Sequence, residues 1–223
     1  MEAFATIWER AAGRKGGDAA LEALMPVIRT PVELRAIPDH RWLAGMTRCV
    51  FQAGFVWSVI ENKWEGFEAA FAGFDPARLA ALSEGDVGRL LSDARIVRNA
   101  QKIQAVRDNA AFLVDLAREH GTAAAFFADW PATDFVGLLA LLKMRGSRLG
   151  GFTSAIFLRS MGKDSFFLNE DVTAALIAAG VLQRTPASKR DLAGVQDAFN
   201  QWREQSDRPL AHISKTLACS IGG

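Results

Sequence analysis

The sequence predicts an all-α protein, and three observations support this prediction. Apolar residues recur at three- and four-residue spacing along the 223-residue chain, which is the period of an amphipathic helix. The period-two alternation of a half-buried β-strand is missing throughout. Glycine, proline and short polar capping residues interrupt the apolar runs and leave only short loops. We therefore expect roughly a dozen helices, without internal repeats or low-complexity segments.

In the first half of the chain, capping residues define most helix boundaries. The first helix has one apolar face and ends at Gly13. Thr30 and Asp75 each precede a proline, which favours a helix start. The predicted helices are Glu2–Ala12, Ala19–Met25 after an Asp18 cap, one from Thr30-Pro31, Asp39–Glu61, Lys63–Phe71, a short one from Asp75-Pro76, one from the capping box Ser83–Asp86, and one from Ser92 or Asp93 to Glu119.

In the second half, the pattern continues with shorter apolar runs. Gly162 and Gly180 are placed to end two of them, and Ser188 with Asp191 forms a capping box. Residues 183–188 are the most linker-like segment of the chain. The predicted helices are Thr122–Ala128, Thr133–Lys143, Phe152–Met161, Glu170–Ala179, Ser188–Glu204 and one from Arg208-Pro209 to Ala218.

Composition restricts the possible classes of function. The formal charge of +1 argues against a basic coat for nucleic acid, so any DNA contact must come from local clusters of basic residues. The only cysteines, Cys49 and Cys219, form no metal-binding spacing; a disulfide stays open, but buried free thiols are favoured. The N-terminus lacks signal-peptide features, and no apolar run reaches the length of a membrane span. We therefore expect a soluble, cytoplasmic protein.

The stretch from Lys143 to Val172 has the pattern of a ligand-binding turn. A glycine-rich turn, Gly146–Gly151, joins two apolar helical runs, and such turns expose backbone N–H groups to anions. An ordinary helix-turn-helix with a solvated basic face is the alternative interpretation. Between Lys143 and Lys163 there is no acidic residue, and the basic residues are Lys143, Arg145, Arg148, Arg159 and Lys163. This local charge favours a nucleic-acid phosphate as the ligand.

Five segments upstream of this turn form an ordered set. They are Gln52–Trp57, Phe74–Pro76, Asp86–Val87, Ile96–Ala105 and Asn109–Ala110. In this order they resemble the 3-methyladenine DNA glycosylase I family, and the glycine turn resembles the helix-hairpin-helix of the wider DNA glycosylase superfamily. With Asn169–Val172, the resemblance covers about the middle half of the chain.

The resemblance implies a helix-hairpin-helix glycosylase fold with two helical lobes around a cleft. The whole chain, residues 1–223, would form a single glycosylase-like domain. One lobe would span about residues 39–143, the helix-hairpin-helix about 133–162, and the N- and C-terminal helices would pack as the second lobe.

The resemblance also implies three groups of site residues. Stacking against an extruded base and hydrogen bonding to a purine edge are assigned to Trp57, Gln52, Cys49 and Phe55. Catalysis near the sugar is assigned to Asn169, Glu170 and Asp171. DNA-backbone contact is assigned to Arg145, Gly146, Ser147, Arg148, Gly150, Gly151, Lys163, Arg98 and Lys102.

Each assignment has a plainer alternative. Trp57 lies in an apolar run and could be a core residue. Arg98 and Lys102 lie four residues apart, so with Arg95 they would share one helix face that could simply be solvated. Glu170 and Asp171 could be acids of a first helical turn, favoured by the helix dipole.

The sequence also departs from the family. The family's zinc-binding Cys and His residues are missing, with Asp171 and Ala175 at two of their positions, so we expect no metal. The N-terminal tyrosines that help to hold the base cannot be present, because the chain contains no tyrosine. The family's pocket glutamate corresponds to Cys49, and a thiol is a much weaker hydrogen-bond acceptor than a carboxylate. Relatives of the hairpin can hold a monovalent cation through carbonyl oxygens, and the sequence leaves this alternative open.

The leading hypothesis is therefore a monomeric, monofunctional DNA glycosylase that acts on alkylated purines, above all 3-methyladenine, in double-stranded DNA. Strand-cleaving chemistry would need a lysine nucleophile, and near the hairpin only Lys163 is a candidate. A non-catalytic DNA- or lesion-binding protein is the second hypothesis, motivated by Cys49 and the missing tyrosines. A helical interaction protein without any nucleic-acid partner is a third and weaker one.

Overall fold

The computed structural model describes residues 1–222, and within them all regular secondary structure is helical. This confirms the all-α prediction. The first nine α-helices are α1 Phe4–Lys15, α2 Asp18–Glu22, α3 Pro31–Arg35, α4 Asp39–Gln52, α5 Trp57–Asn62, α6 Trp64–Ala70, α7 Pro76–Ala80, α8 Glu84–Ser92 and α9 Ala100–His120. They are followed by α10 Ala123–Asp129, α11 Phe135–Arg145, α12 Phe152–Ser160, α13 Glu170–Ala178, α14 Lys189–Ser206 and α15 Leu210–Ser220. Two short 3₁₀ helices cover Ala72–Phe74 and Ala132–Asp134.

Most of the predicted capping residues start helices. Thr30, Ser83 and Ser188 each form a capping box with the acidic residue three positions later. Asp75 caps α7 ahead of Pro76. Asp18 differs from its prediction: it is the first residue of α2, and its carboxylate accepts a hydrogen bond from Trp8 Nε1 at 2.7 Å.

Two of the long predicted helices have different bounds in the structure. The helix predicted from Asp39 to Glu61 ends at Gln52 and resumes at Trp57, because Gly54 adopts a left-handed conformation with φ +75°. The helix predicted from Ser92 or Asp93 begins instead at Ala100, after an Asn99 cap. Arg95 and Arg98 therefore lie in a loop, and the predicted shared helix face with Lys102 is wrong.

The chain divides into two compact units. The first comprises Met1–Ile28, Pro131–Leu138 and the chain from Asp164 onward. Its core contains an aromatic chain in which Phe166 stacks on Phe199 at a centroid distance of 4.1 Å and Phe199 meets Trp202 edge-on at 5.8 Å. The first unit thus joins the N-terminal and C-terminal helices, and α1 packs against α15.

The second unit comprises Arg29–Trp130 and Leu139–Lys163. Its centre is α4, which packs against α9 and α12. The fully buried Trp42 of α4 stacks on Phe127 at a centroid distance of 4.5 Å and meets Phe157 of α12 edge-on at 5.9 Å. This arrangement fixes the C-terminal end of α4 beside the first turn of α12.

Cys49 and Cys219 are both buried and free, as the composition favoured. Within residues 1–222, no single helix combines the length and the apolar composition of a membrane span, although one bent pair of helices meets both criteria together.

Candidate functional site

A cavity of about 240 Å³ lies in the second unit, where α4 ends, α5 begins and α12 starts. It is lined by Cys49, Gln52, Ala53, Gly54, Phe55, Trp57, Phe152, Thr153 and Ile156. All four residues that the sequence assigned to base binding are therefore in one place. The residues from α12 were not predicted, because their proximity depends on how α12 packs on α4.

Three aromatic side chains give the cavity its apolar walls. Phe55, Trp57 and Phe152 are 40%, 54% and 52% exposed, so none of them belongs to the hydrophobic core. The core alternative for Trp57 is therefore wrong. Exposed aromatic faces around a cavity are suited to stacking with a flat ligand.

Lys102 stabilises the end of α4 and the loop that carries Phe55. Lys102 is only 3% exposed, and its Nζ donates to the carbonyl oxygens of Phe51 at 2.9 Å and Ala53 at 2.7 Å. These carbonyls belong to the end of α4, where backbone acceptors lack partners within the helix and a positive charge is favourable. The same ammonium lies 4.4 Å from the centre of the Phe55 ring. Desolvation, with a smaller contribution from Arg148, lowers the pKa of Lys102.

Gln52 is the main polar side chain of the cavity. It is 7% exposed, and its Nε2 donates to Glu61 Oε1 at 2.8 Å. Glu61 Oε2 lies 3.5 Å from Arg48 Nη1. The exposed Glu61 of α5 is thus the hydrogen-bond partner of the Gln52 amide.

Cys49 is buried in the cavity wall, and the lining includes no carboxylate. Burial raises the pKa of the Cys49 thiol to about 11, which a hydrogen bond with Ser160 only partly offsets. The thiol is therefore neutral at physiological pH. The cavity accordingly has no fixed negative charge at this position.

The glycine turn 146–151 follows α11 and leads directly into Phe152, so it adjoins the cavity in the chain. Arg148 and Gly151 have positive φ, at +59° and +57°. Gly146 is needed for a different reason: a Cβ there would lie 2.7 Å from the carbonyl oxygen of Leu142 and 2.7 Å from Leu149 Cδ1.

Asn109 of α9 fixes the turn from inside. Its Oδ1 accepts from the Ser147 backbone N–H at 2.7 Å, and its Nδ2 donates to the Ser147 carbonyl at 3.0 Å. The sequence placed Asn109 in the family resemblance but gave it no role, because 38 residues separate it from Ser147.

The basic residues assigned to DNA contact fall into two groups. Arg98 and Arg148 are exposed, and Arg148 donates to Gln101 Oε1 at 2.9 Å. Arg145 forms a bidentate ion pair with Glu119, with N–O distances of 3.0 and 2.9 Å.

Lys102 and Lys163, by contrast, are not surface groups. Lys163 is 5% exposed, and its Nζ donates to the carbonyl oxygens of Ala128 at 3.2 Å and Trp130 at 2.6 Å. A DNA-contact role for these two lysines is therefore wrong, because both ammonium groups are buried against backbone carbonyls.

The three residues assigned to catalysis lie in the first unit, at the start of α13. Asn169 is the N-cap, and its Oδ1 accepts from the Val172 N–H at 3.0 Å. Glu170 and Asp171 are exposed acids of the first turn. Their positions fit the helix-dipole alternative equally well, so the catalytic role remains a prediction.

A family model described as methyladenine glycosylase matches residues 38–136. The matched region includes Cys49, Gln52, Phe55 and Trp57 and ends before the glycine turn. Over 59 residues the chain is 48% identical to DNA-3-methyladenine glycosylase 1 of Escherichia coli strain K12. These residues are 26% of this chain and 32% of that enzyme, so the match spans about a third of the relative.

Solved structures show the same fold over a longer stretch. A crystal structure of 3-methyladenine DNA glycosylase I is 27% identical, with a TM-score of 0.51, over 65% of this chain and 86% of that one. A variant of 3-methyladenine DNA glycosylase I in complex with 3-methyladenine is 20% identical, with a TM-score of 0.52, over 72% of this chain and 95% of that one. At that lower identity the likeness supports the fold alone.

Proposed function

We propose that the chain is a member of the methyladenine glycosylase family, whose model matches residues 38–136, and that it is a DNA glycosylase that removes alkylated purines, above all 3-methyladenine, from double-stranded DNA. The proposal includes a monomeric enzyme that acts in the cytoplasm. One observation carries it: the cavity with three exposed aromatic rings directly follows the glycine turn, since Phe152 is the next residue after Gly151.

This adjacency suits the task of a glycosylase. Such an enzyme must hold the DNA backbone and, beside it, bind a base that has left the stack. The turn offers backbone N–H groups and the exposed Arg148 to phosphates. Trp57, Phe55 and Phe152 offer faces to a purine, and aromatic faces also stabilise a cationic base.

The proposed reaction is hydrolysis of the bond between base N9 and sugar C1′. The base leaves with the bonding electron pair, so a cationic 3-methyladenine departs as a neutral molecule. Water adds to C1′ and releases one proton, which leaves an abasic sugar. Since the cationic base is a good leaving group, stacking and orientation can supply much of the acceleration. Asn169, Glu170 and Asp171 are proposed to act near the sugar on the family resemblance alone.

The proposal is for a monofunctional enzyme. Lysine-dependent strand cleavage needs an amine that is free to attack C1′. Lys163, the candidate near the hairpin, is buried, and its Nζ is bound to the carbonyls of Ala128 and Trp130. These contacts support hydrolysis without strand cleavage.

A non-catalytic lesion-binding protein is the second candidate, and Cys49 favours it. A neutral, buried thiol cannot replace the strong acceptor that a carboxylate would provide to a purine. In this case the cavity and the turn would bind a damaged site without cleaving it.

The decisive experiment measures release of free 3-methyladenine from methylated duplex DNA, by chromatography and mass spectrometry. Wild type is compared with Trp57→Ala and Asn169→Ala, and with Val32→Ala as an exposed apolar control away from the cavity. Release by wild type and the control, with a large loss in Trp57→Ala, would support the enzyme. Salt-sensitive DNA binding without release would favour the second candidate, and the absence of both would contradict both.

A further inference from the structure

The hydrogen bond between Gln52 and Glu61 determines which edge of the Gln52 amide is available. Gln52 Nε2 lies 2.8 Å from Glu61 Oε1. An ionised carboxylate can only accept, so the nitrogen of the amide must face Glu61. The amide is planar, and Oε1 therefore lies on the edge that faces away from Glu61. Among the described residues, Gln52 Oε1 has no hydrogen-bond partner.

Arg48 contacts the other oxygen of the Glu61 carboxylate. Glu61 Oε2 lies 3.5 Å from Arg48 Nη1, and the Arg48 guanidinium lies 4.1 Å from the centre of the Trp64 ring. Trp64 Nε1 in turn donates to Glu68 at 3.0 Å. These contacts hold the Glu61 carboxylate beside the Gln52 amide, outside the cavity lining.

The Glu61 carboxylate is important because the cavity lining itself contains no carboxylate. The cavity wall presents a neutral thiol at Cys49 and no carboxylate. Glu61 is outside this lining, and its carboxylate accepts a hydrogen bond from the Gln52 amide, which belongs to the lining.

We propose that Glu61 is a positioning residue that sets base specificity by fixing Gln52 as a hydrogen-bond acceptor. The cavity then prefers purines that present an N–H donor, such as the 6-amino group of 3-methyladenine, over purines that lack it. This inference rests on the proposed function, because it assumes that the cavity binds a purine base.

The test measures binding of two free bases, 3-methyladenine and 3-methylpurine, which differ by the 6-amino group. Affinities are obtained by titration calorimetry for wild type, Glu61→Leu and Glu61→Gln. Glu65→Leu is the matched control, since Glu65 is an exposed acid on the next helix. Thermal unfolding of each variant verifies folding.

Wild type and Glu65→Leu should prefer 3-methyladenine by about tenfold, the effect of one matched hydrogen bond in a partly buried site. In Glu61→Leu the amide can turn either way, and the preference should fall to about twofold. Glu61→Gln keeps an acceptor but also offers a donor, so an intermediate preference is expected. A merely structural role for Glu61 would weaken both bases equally and leave their ratio unchanged.

An unchanged ratio in folded Glu61→Leu, with both bases still bound, would overturn this inference and leave the proposed function intact. Failure of wild type to bind either base would overturn the inference together with the base-binding role of the cavity. Base release from methylated DNA, measured separately, reports on the proposed function itself.

Discussion

Asn109 and Ser147 exchange two hydrogen bonds, one from the Ser147 N–H to Asn109 Oδ1 at 2.7 Å and one from Asn109 Nδ2 to the Ser147 carbonyl at 3.0 Å. Asn109 is 1% exposed, so this pair anchors the glycine turn to the interior of the second unit. A side-chain amide is suited to this task because it donates and accepts at once.

We expect Asn109→Ala to lower the free energy of unfolding by about 2–3 kcal/mol, since both backbone groups of Ser147 lose their partner. Asn109→Asp should also be destabilising, because a carboxylate can accept from the Ser147 N–H but repels the carbonyl. Urea denaturation measures the stability, and fluorescence anisotropy measures DNA affinity. DNA affinity equal to that of wild type in both folded variants would show that the turn does not need this anchor.

Gly146→Ala tests the close packing of the turn. The added methyl group would meet the Leu142 carbonyl oxygen and the Leu149 side chain at 2.7 Å, which should cost about 1–3 kcal/mol of stability. Gly150→Ala is the matched control, because its methyl group would meet only Lys143 Cγ, at 3.7 Å. Equal unfolding midpoints for the two variants would contradict the proposed difference.

Lys102→Met tests whether Lys102 stabilises the loop that carries Phe55. Methionine keeps the apolar stem but removes both hydrogen bonds to Phe51 and Ala53. We expect a loss of about 1–3 kcal/mol in unfolding free energy and weaker binding of 3-methyladenine, as Phe55 loses its fixed position. Lys15→Met, at an exposed lysine of α1, should change neither quantity measurably. Unchanged base affinity in Lys102→Met would show that Lys102 does not contribute to base binding.

The parts of this structure that depend on local chemistry could be predicted from the sequence. Capping residues such as Ser83 and Ser188 act within one helical turn, so their pattern predicts a helix start without knowledge of the fold. Gln52 and Trp57 were predicted to be together because a single short segment contains both.

The parts that depend on contacts distant in sequence could not be predicted. Lys102 looks like a solvated cation until α4 brings the Phe51 and Ala53 carbonyls to it from about 50 residues away. Lys163 is similar, since its carbonyl partners lie more than 30 residues earlier. The break at Gly54 was missed because an apolar run with a single glycine is also compatible with one long helix.

Trp57 and Trp42 should separate function from stability. Trp57 is 54% exposed, so Trp57→Ala should change the unfolding free energy by less than about 1 kcal/mol while it abolishes most base binding. Trp42 is fully buried against Phe127, and Trp42→Ala should cost about 3–5 kcal/mol. Urea denaturation and base titration on both variants measure this contrast. A base affinity of Trp57→Ala equal to that of wild type would show that the base does not bind in this cavity.

Cys49 should make stability dependent on pH in the alkaline range. Its folded-state pKa is raised to about 11 from an ordinary value of 9.0, chiefly because burial disfavours the thiolate. A raised pKa means that the folded state keeps a proton that the unfolded state loses. The stabilisation of the folded state by the protonated thiol is therefore complete below pH 9 and is lost as the pH rises towards 11.

The experiment compares two variants between pH 7.5 and about 10.5. Cys219→Ala keeps Cys49 as its remaining thiol, and Cys49→Ala/Cys219→Ala has none. The free energy of unfolding is measured for both. The difference between them should be constant up to about pH 9 and then decrease in favour of the double variant. A constant difference throughout would mean that burial does not raise the pKa of the Cys49 thiol.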